Sequence, residues 1–128
     1  MQQDKLKLLN VLLAANKPFA CALSGNLGAG KTTFVRDFLQ LRGFSGYVKS
    51  PSFSIVEIYE EIKFLHIDLY RLEIVGKQQL AALGLYDFLD EGYSVFIEWP
   101  ERLDHKPLKI DFYIRIELEG HSRKYCLH

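Results

Sequence analysis

Gly25-Asn26-Leu27-Gly28-Ala29-Gly30-Lys31-Thr32 follows the pattern G-x-x-x-x-G-K-[ST], in which glycines, a lysine and a hydroxyl together cradle phosphates. The flanking residues decide the fold reading. Phe19-Ala20-Cys21-Ala22-Leu23-Ser24 is a short apolar run without Pro or Gly, as a buried strand requires. Thr32 to Leu41 is compatible with a helix, so strand, loop and helix come in the order a phosphate-binding loop demands. A plain glycine-rich turn between a strand and a helix would account for the glycines. It would not account for lysine followed by threonine.

Each position in the loop has a physical reason. Gly25, Gly28 and Gly30 let the backbone take conformations barred to residues with a Cβ, so that successive N–H groups, those of Asn26 and Ala29 included, converge on one anion. The helix that begins near Lys31 adds the partial positive charge of its N-terminus. The Lys31 ammonium would reach the β- and γ-phosphates, and the Thr32 hydroxyl would serve Mg²⁺. Thr33 continues the helix's first turn. The chain is therefore expected to bind a nucleoside triphosphate with Mg²⁺.

Working outward, the 128 residues are expected to form one domain, 1–128, with 48% hydrophobic and 25% charged residues, ordinary for a globular cytosolic protein. Lys plus Arg and Asp plus Glu both total 16, which leaves no electrostatic footprint for nucleic acid, so any RNA association is expected through a partner. Cys21 and Cys126 have no metal-ligand spacing and read as reduced thiols. Leu6, Leu9 and Leu13 recur at helical spacing, and Lys7 and Asn10 interrupt the run, which favours an amphipathic helix over a signal peptide. No run is long enough for a membrane span.

Arg42-Gly43 predicts a helix C-cap. Ser54 to Tyr59 and Ile62 to Asp68 predict two strands joined by a tight Glu60-Glu61 turn. Lys77 to Leu83 and Leu85 to Leu89 predict short helices punctuated by Gly84. Ser94 to Glu98 predicts a buried strand stopped by Pro100, and Phe112 to Leu118 with Arg123 to Leu127 predicts a second hairpin. The expected fold class is α/β: a P-loop NTPase-like, three-layer domain whose mixed parallel and antiparallel sheet is flanked by helices.

A phosphate loop holds phosphates, whereas hydrolysis also needs an acid at the Mg²⁺ and a group that orients the attacking water. Glu98 ends an apolar strand, as a Walker B carboxylate should, and would face the loop if the two strands are neighbours. Asp68 ends another apolar strand, and His66 points to the same side as Asp68. Each acid also reads as the place where its strand meets solvent, and His66 alone reads as a structural imidazole. Arg71 is placed to stabilise γ-phosphate charge or simply to face solvent, Trp99 to stack near the nucleotide or to pack in the core, and Ser50 and Ser52 to sense the γ-phosphate or to sit on an ordinary loop. The only Asn-Lys pair, Asn16-Lys17, precedes the loop and is followed by Pro18-Phe19, so no N-K-x-D guanine reader exists and GTPase is disfavoured. The lack of an arginine-rich lid or acceptor segment weakens a small-molecule kinase.

Gly25 to Thr33, Ser50-Pro51-Ser52-Phe53, His66-Ile67-Asp68-Leu69-Tyr70-Arg71 and Ile97-Glu98-Trp99-Pro100-Glu101 together resemble the TsaE (YjeE) family in order and spacing, across roughly Ser24 to Arg102. The resemblance implies a cytoplasmic P-loop ATPase, weak alone, that assists the TsaB and TsaD proteins in making N6-threonylcarbamoyladenosine at position 37 of tRNA, with the transfer chemistry carried by TsaD. It implies Thr32 and Glu98 on Mg²⁺, Asp68 beside the γ-phosphate as a catalytic acid with Glu98, and Trp99 near the nucleotide. Ser52 stands where the family usually has threonine, and Asn26 where it often has aspartate. No Ser/Thr-rich N-terminal stretch of the kind that helps relatives bind adenine is evident, and His121, Arg123 and Lys124 are alternative contributors. Two other readings stay open: a nucleotide-gated binding module whose hydrolysis is incidental, and a small-molecule kinase.

Overall fold

The computed structural model describes residues 3–48 and 55–128. A six-stranded sheet has the order β2-β3-β4-β1-β5-β6, built from β1 (Ala20–Ser24), β2 (Val56–Tyr59), β3 (Phe64–Asp68), β4 (Ser94–Glu98), β5 (Phe112–Glu119) and β6 (Ser122–Leu127). The four central strands run parallel, while the edge strands β2 and β6 are antiparallel to their neighbours. The helices are α1 (Gln3–Leu13), α2 (Lys31–Leu41), α3 (Lys77–Ala82) and α4 (Leu85–Asp90). Every residue of β1 and β4 is buried, as expected of strands covered on both faces by helices.

Alternation along the strands sorts the apolar side chains into two cores. Cys21 and Leu23 of β1, Phe64 of β3 and Phe96 of β4 pack with Leu8, Leu9 and Leu12 of α1 and Phe34, Val35, Phe38 and Leu39 of α2. Leu65, Ile67, Val95 and Ile97 pack on the other side with Leu80 of α3 and Leu85 of α4. The architecture is thus helix, sheet, helix. The first core is rich in phenylalanine: Phe38 and Phe96 meet edge-on at 5.2 Å between centroids, and Phe64 stacks on Phe96 at 5.8 Å, both favourable arrangements for the ring quadrupole. Even-numbered positions of β3 and β4 share this α1/α2 face, so His66, Asp68 and Glu98 are set on the side where α2 begins.

Two details differ from the sequence reading. The buried stripe of α1 is Lys5, Leu8, Leu9 and Leu12, whereas Leu6 is 41% exposed and Leu13 half-buried. The helix is turned toward α2 and β6, where Lys5 pairs with Asp37. The β2–β3 connection is longer than a two-residue turn: a 3-10 turn, Glu60–Ile62, precedes Lys63 in the left-handed region at φ 55°. Lys63 thereby supplies the reversal for which the sequence offers no glycine.

The predicted punctuation of the other helices holds. α2 ends in a Schellman motif, with Gly43 N–H donating to Gln40 O at 3.1 Å and Phe44 N–H to Leu39 O at 2.9 Å. Gly84 lies at φ 82° between α3 and α4. Among the described residues no helix is long and apolar enough to cross a membrane.

Candidate functional site

The site lies where β1, β3 and β4 end and α2 begins. β1 pairs parallel with β4, Leu23 opposite Glu98, and β4 pairs with β3, Asp68 opposite Glu98. This register brings the two acids and the Gly25–Thr32 loop to one edge of the sheet. Gly25, Gly28 and Gly30 all have positive φ, at 152°, 77° and 105°. At Gly25 space is also limiting, since a Cβ would come within 2.4 Å of Ile116 O on β5. The loop is therefore seated directly on the sheet backbone. Asn26 is exposed, and its carbonyl accepts from Ala29 N–H at 3.0 Å.

Lys31 is 5% exposed, and its ammonium donates to Gly25 O and lies 4.0 Å from the centre of the Trp99 ring, a cation–π contact. Burial draws the Lys31 pKa down, while the negative charges of Glu98, Asp68 and Glu101 oppose the shift. The lysine is thus held over the loop by a carbonyl and an aromatic face, without a direct carboxylate partner among the described residues. The Thr32 hydroxyl donates to Glu98 Oε2 at 2.9 Å, and His66 Nε2 lies 2.5 Å from the same oxygen. Thr33 is half-buried in the first turn of α2. Asp68 Oδ1 accepts from Tyr70 N–H at 2.9 Å. Burial raises the Asp68 pKa and Glu98 adds to the rise, against the Tyr70 hydrogen bond and the Lys31 charge.

Trp99 directly follows Glu98 in the left-handed region, φ 60° and ψ 53°, an uncommon conformation for a bulky residue. That turn lays the indole across Lys31 and against Tyr70, ring centres 5.0 Å apart. Pro100 then opens a 3-10 turn, Pro100–Arg102. Two further residues reach the site to which the sequence reading assigned no role. The Arg102 guanidinium lies 5.6 Å from the Trp99 ring centre, and Glu101 Oε2 accepts from Ser24 Oγ at 3.5 Å. Their place beside the strand-ending Glu98 was the signal available for both.

Of the arginines raised from sequence, Arg71 is exposed, as its plainer reading had it. Arg123 of β6 donates from Nε to Ala29 O at 2.7 Å, so the second hairpin braces the loop. Its neighbour Lys124 pairs with Glu119 at 4.0 Å, and His121 is exposed. A cleft of about 290 Å³ adjoins the loop on the β5 side, lined by Ser24, Asn26, Glu101 and Glu117 among others. Ser50 and Ser52 lie outside the described residues.

The profile of the family described as "Threonylcarbamoyl adenosine biosynthesis protein TsaE" matches residues 2–125. This chain belongs to the TsaE family. The tRNA threonylcarbamoyladenosine biosynthesis protein TsaE of Haemophilus influenzae is 39% identical over 92 residues, 70% of this chain and 57% of that relative. TsaE of Rickettsia felis is 30% identical over 129 residues, 98% of this chain and 74% of the relative. The matched part thus spans little more than half of the first of these two relatives. In fold, the chain is similar to the crystal structure of YdiB from Bacillus subtilis, with a TM-score of 0.68 at 24% identity, covering 98% of this chain and 77% of that one. TsaE proteins are named for tRNA threonylcarbamoyladenosine biosynthesis.

Proposed function

We propose that this chain is an Mg²⁺-dependent ATPase that binds ATP at the Gly25–Thr32 loop and serves as an accessory to TsaB and TsaD in forming N6-threonylcarbamoyladenosine at position 37 of tRNA. Contact with tRNA is through that complex. The observation that carries the reading is the convergence on one sheet edge of Lys31, Thr32, Asp68 and Glu98, with the Thr32 hydroxyl 2.9 Å from Glu98 Oε2.

The donor set suits the cation. Mg²⁺ takes oxygen ligands, keeps several waters and is commonly held by one or two carboxylates together with substrate phosphates. Thr32 and Glu98 offer such oxygens, and among the described residues no cluster of three or more His, Cys, Asp or Glu side chains makes a self-sufficient metal cage. Phosphate oxygens would complete the shell. When bound, Mg²⁺ supplies charge neutralisation at the β- and γ-phosphates.

The protein's own groups divide the remaining work. The Gly25–Gly30 backbone and the α2 N-terminus orient the phosphates. Lys31, already at the loop, exchanges the Gly25 carbonyl for phosphate oxygens. Asp68 orients the attacking water, and Trp99 stays against the nucleotide and Lys31. Asp68 and Glu98 are the catalytic acids of this reading. Turnover alone is slow because the Thr32 hydroxyl is spent on Glu98 and Asp68 is engaged by Tyr70 N–H. A TsaB and TsaD complex docked on this edge would release them.

The test is steady-state ATP hydrolysis by the purified chain, alone and with purified TsaB and TsaD, with Glu98→Ala in parallel. Stimulation by the partners that the variant loses, by at least about tenfold, is the expected result. Equal turnover in all four samples would overturn the reading. The engaged carboxylates also favour a second reading, a nucleotide-gated binding module. In that case Asp68→Ala keeps both partner binding and tRNA modification, while Lys31→Ala loses them.

A further inference from the structure

His66 is fully buried, yet only one of its ring nitrogens is used. Nε2 lies 2.5 Å from Glu98 Oε2, and Nδ1 has no hydrogen-bond partner among the described residues. An ionised carboxylate only accepts, so Nε2 carries the proton and donates. Nδ1 is then a buried polar atom without a partner, a feature that destabilises a core. The surroundings do not call for an imidazole. His66 shares its sheet face with Phe64, which packs in the phenylalanine-rich core, and pairs in register with Phe96 on β4. An apolar side chain would fill this position without stranding a polar atom. What the imidazole supplies that an apolar residue cannot is the N–H to Glu98.

The two donors on Glu98 Oε2 also differ in how they are mounted. Thr32 sits on the first turn of α2, at the loop that receives phosphates. His66 sits on β3, bonded in register to the strand that carries Glu98, so imidazole and carboxylate move as one body. A glutamate has three rotatable side-chain bonds, and ordering it when a ligand arrives would weaken binding.

We propose that His66 is a positioning residue for Glu98. Its Nε2–H holds the carboxylate, from within the rigid sheet, in the orientation in which Glu98 and Thr32 meet the cation. This rests on the Mg²⁺-nucleotide reading of the site. Its effect falls on cation affinity and leaves the grip of the loop on phosphates unchanged.

The test uses Trp99, the chain's single tryptophan, as the reporter. ADP is titrated without metal, then Mg²⁺ is titrated at fixed ADP, and each protein's melting temperature is measured. For His66→Leu the Mg²⁺ midpoint is expected to weaken roughly ten- to a hundredfold, as when a partner behind a metal ligand is removed. ADP affinity without metal stays at the wild-type value, and the melting temperature is equal or higher. His66→Gln, which restores an N–H at similar reach, is expected to recover the midpoint to within about threefold of wild type.

The inference is overturned if His66→Leu keeps the wild-type Mg²⁺ midpoint. It is also overturned if that variant melts lower or does not fold, since His66 would then serve the core. Equal loss of ADP affinity with and without metal in both variants would have the same meaning. Failure of the wild-type protein to respond to ADP and Mg²⁺ would instead refute the function proposed above.

Discussion

Asp68 and Glu98 are paired in register on adjacent strands, yet they are differently placed, and the difference has a measurable sign. Burial raises the Asp68 carboxyl above its ordinary 3.8. A group whose pKa is raised by folding binds its proton more tightly in the native state. Its contribution to stability is therefore fully present below the unfolded value and is lost as pH rises through the folded one. At neutral pH the ionised Asp68 detracts from stability. Asp68→Asn keeps an acceptor for Tyr70 N–H and removes the charge, so it should melt above wild type at pH 7, with the advantage shrinking as pH falls toward 3.8. The same variant should lose ATP turnover by at least about tenfold. A melting temperature at or below wild type at pH 7 would remove burial as the governing effect. Of the residues at this edge, the motif spelled out Lys31 and Thr32 from local chemistry alone. The Glu98–His66 contact was not legible, because it joins residues 32 apart through a strand pairing that no local pattern encodes. Trp99 was visible as a neighbour of Glu98, but its left-handed backbone and its ring on Lys31 are imposed by the turn into Pro100.

At the level of elements, the C-terminus of α2 is held by Gly43, at φ 107° with open space where a Cβ would stand. A substitution there meets conformational strain without a steric clash. Gly43→Ala should therefore cost about 1–2 kcal/mol, the penalty of a left-handed L-residue, read as a lower urea midpoint with an unchanged slope. An unchanged midpoint would mean the helix end relaxes freely. This cap was legible because Arg42-Gly43 follows an apolar helical run directly, and the Ser94–Glu98 strand was legible because it is continuously apolar and ends before a proline. The α1 stripe was read less well. Leucines at 6, 9 and 13 fit a helical period as well as those at 8, 9 and 12 do, and only contact with α2 and β6 selects the second set. The β2–β3 reversal was missed in detail for a related reason: Lys63 takes a backbone conformation that sequence patterns assign to glycine or asparagine.

Across the whole molecule, the order of strands around β1 makes the site. β4 on one side brings Glu98, and β5 on the other brings the backbone on which Gly25 rests. Sequence gave each strand but only a conditional statement of which are neighbours, since parallel partners are joined by long crossovers whose spatial order is not locally encoded. Charge, by contrast, is a property of the whole chain and was fully legible. With 16 basic and 16 acidic residues, the purified chain should retain no tRNA in a mobility-shift assay at physiological salt up to roughly 10 µM protein. A salt-sensitive complex at submicromolar protein would show a direct nucleic-acid surface. The brace from Arg123 to Ala29, 94 residues apart in sequence, carries a consequence for how the protein is made. A ribosome emits the glycine loop early and the hairpin that steadies it late, so a nascent chain halted before β6 has the complete motif without its brace. The loop is therefore fully braced only near the end of this stretch of synthesis, after β5 has also given Gly25 its seat.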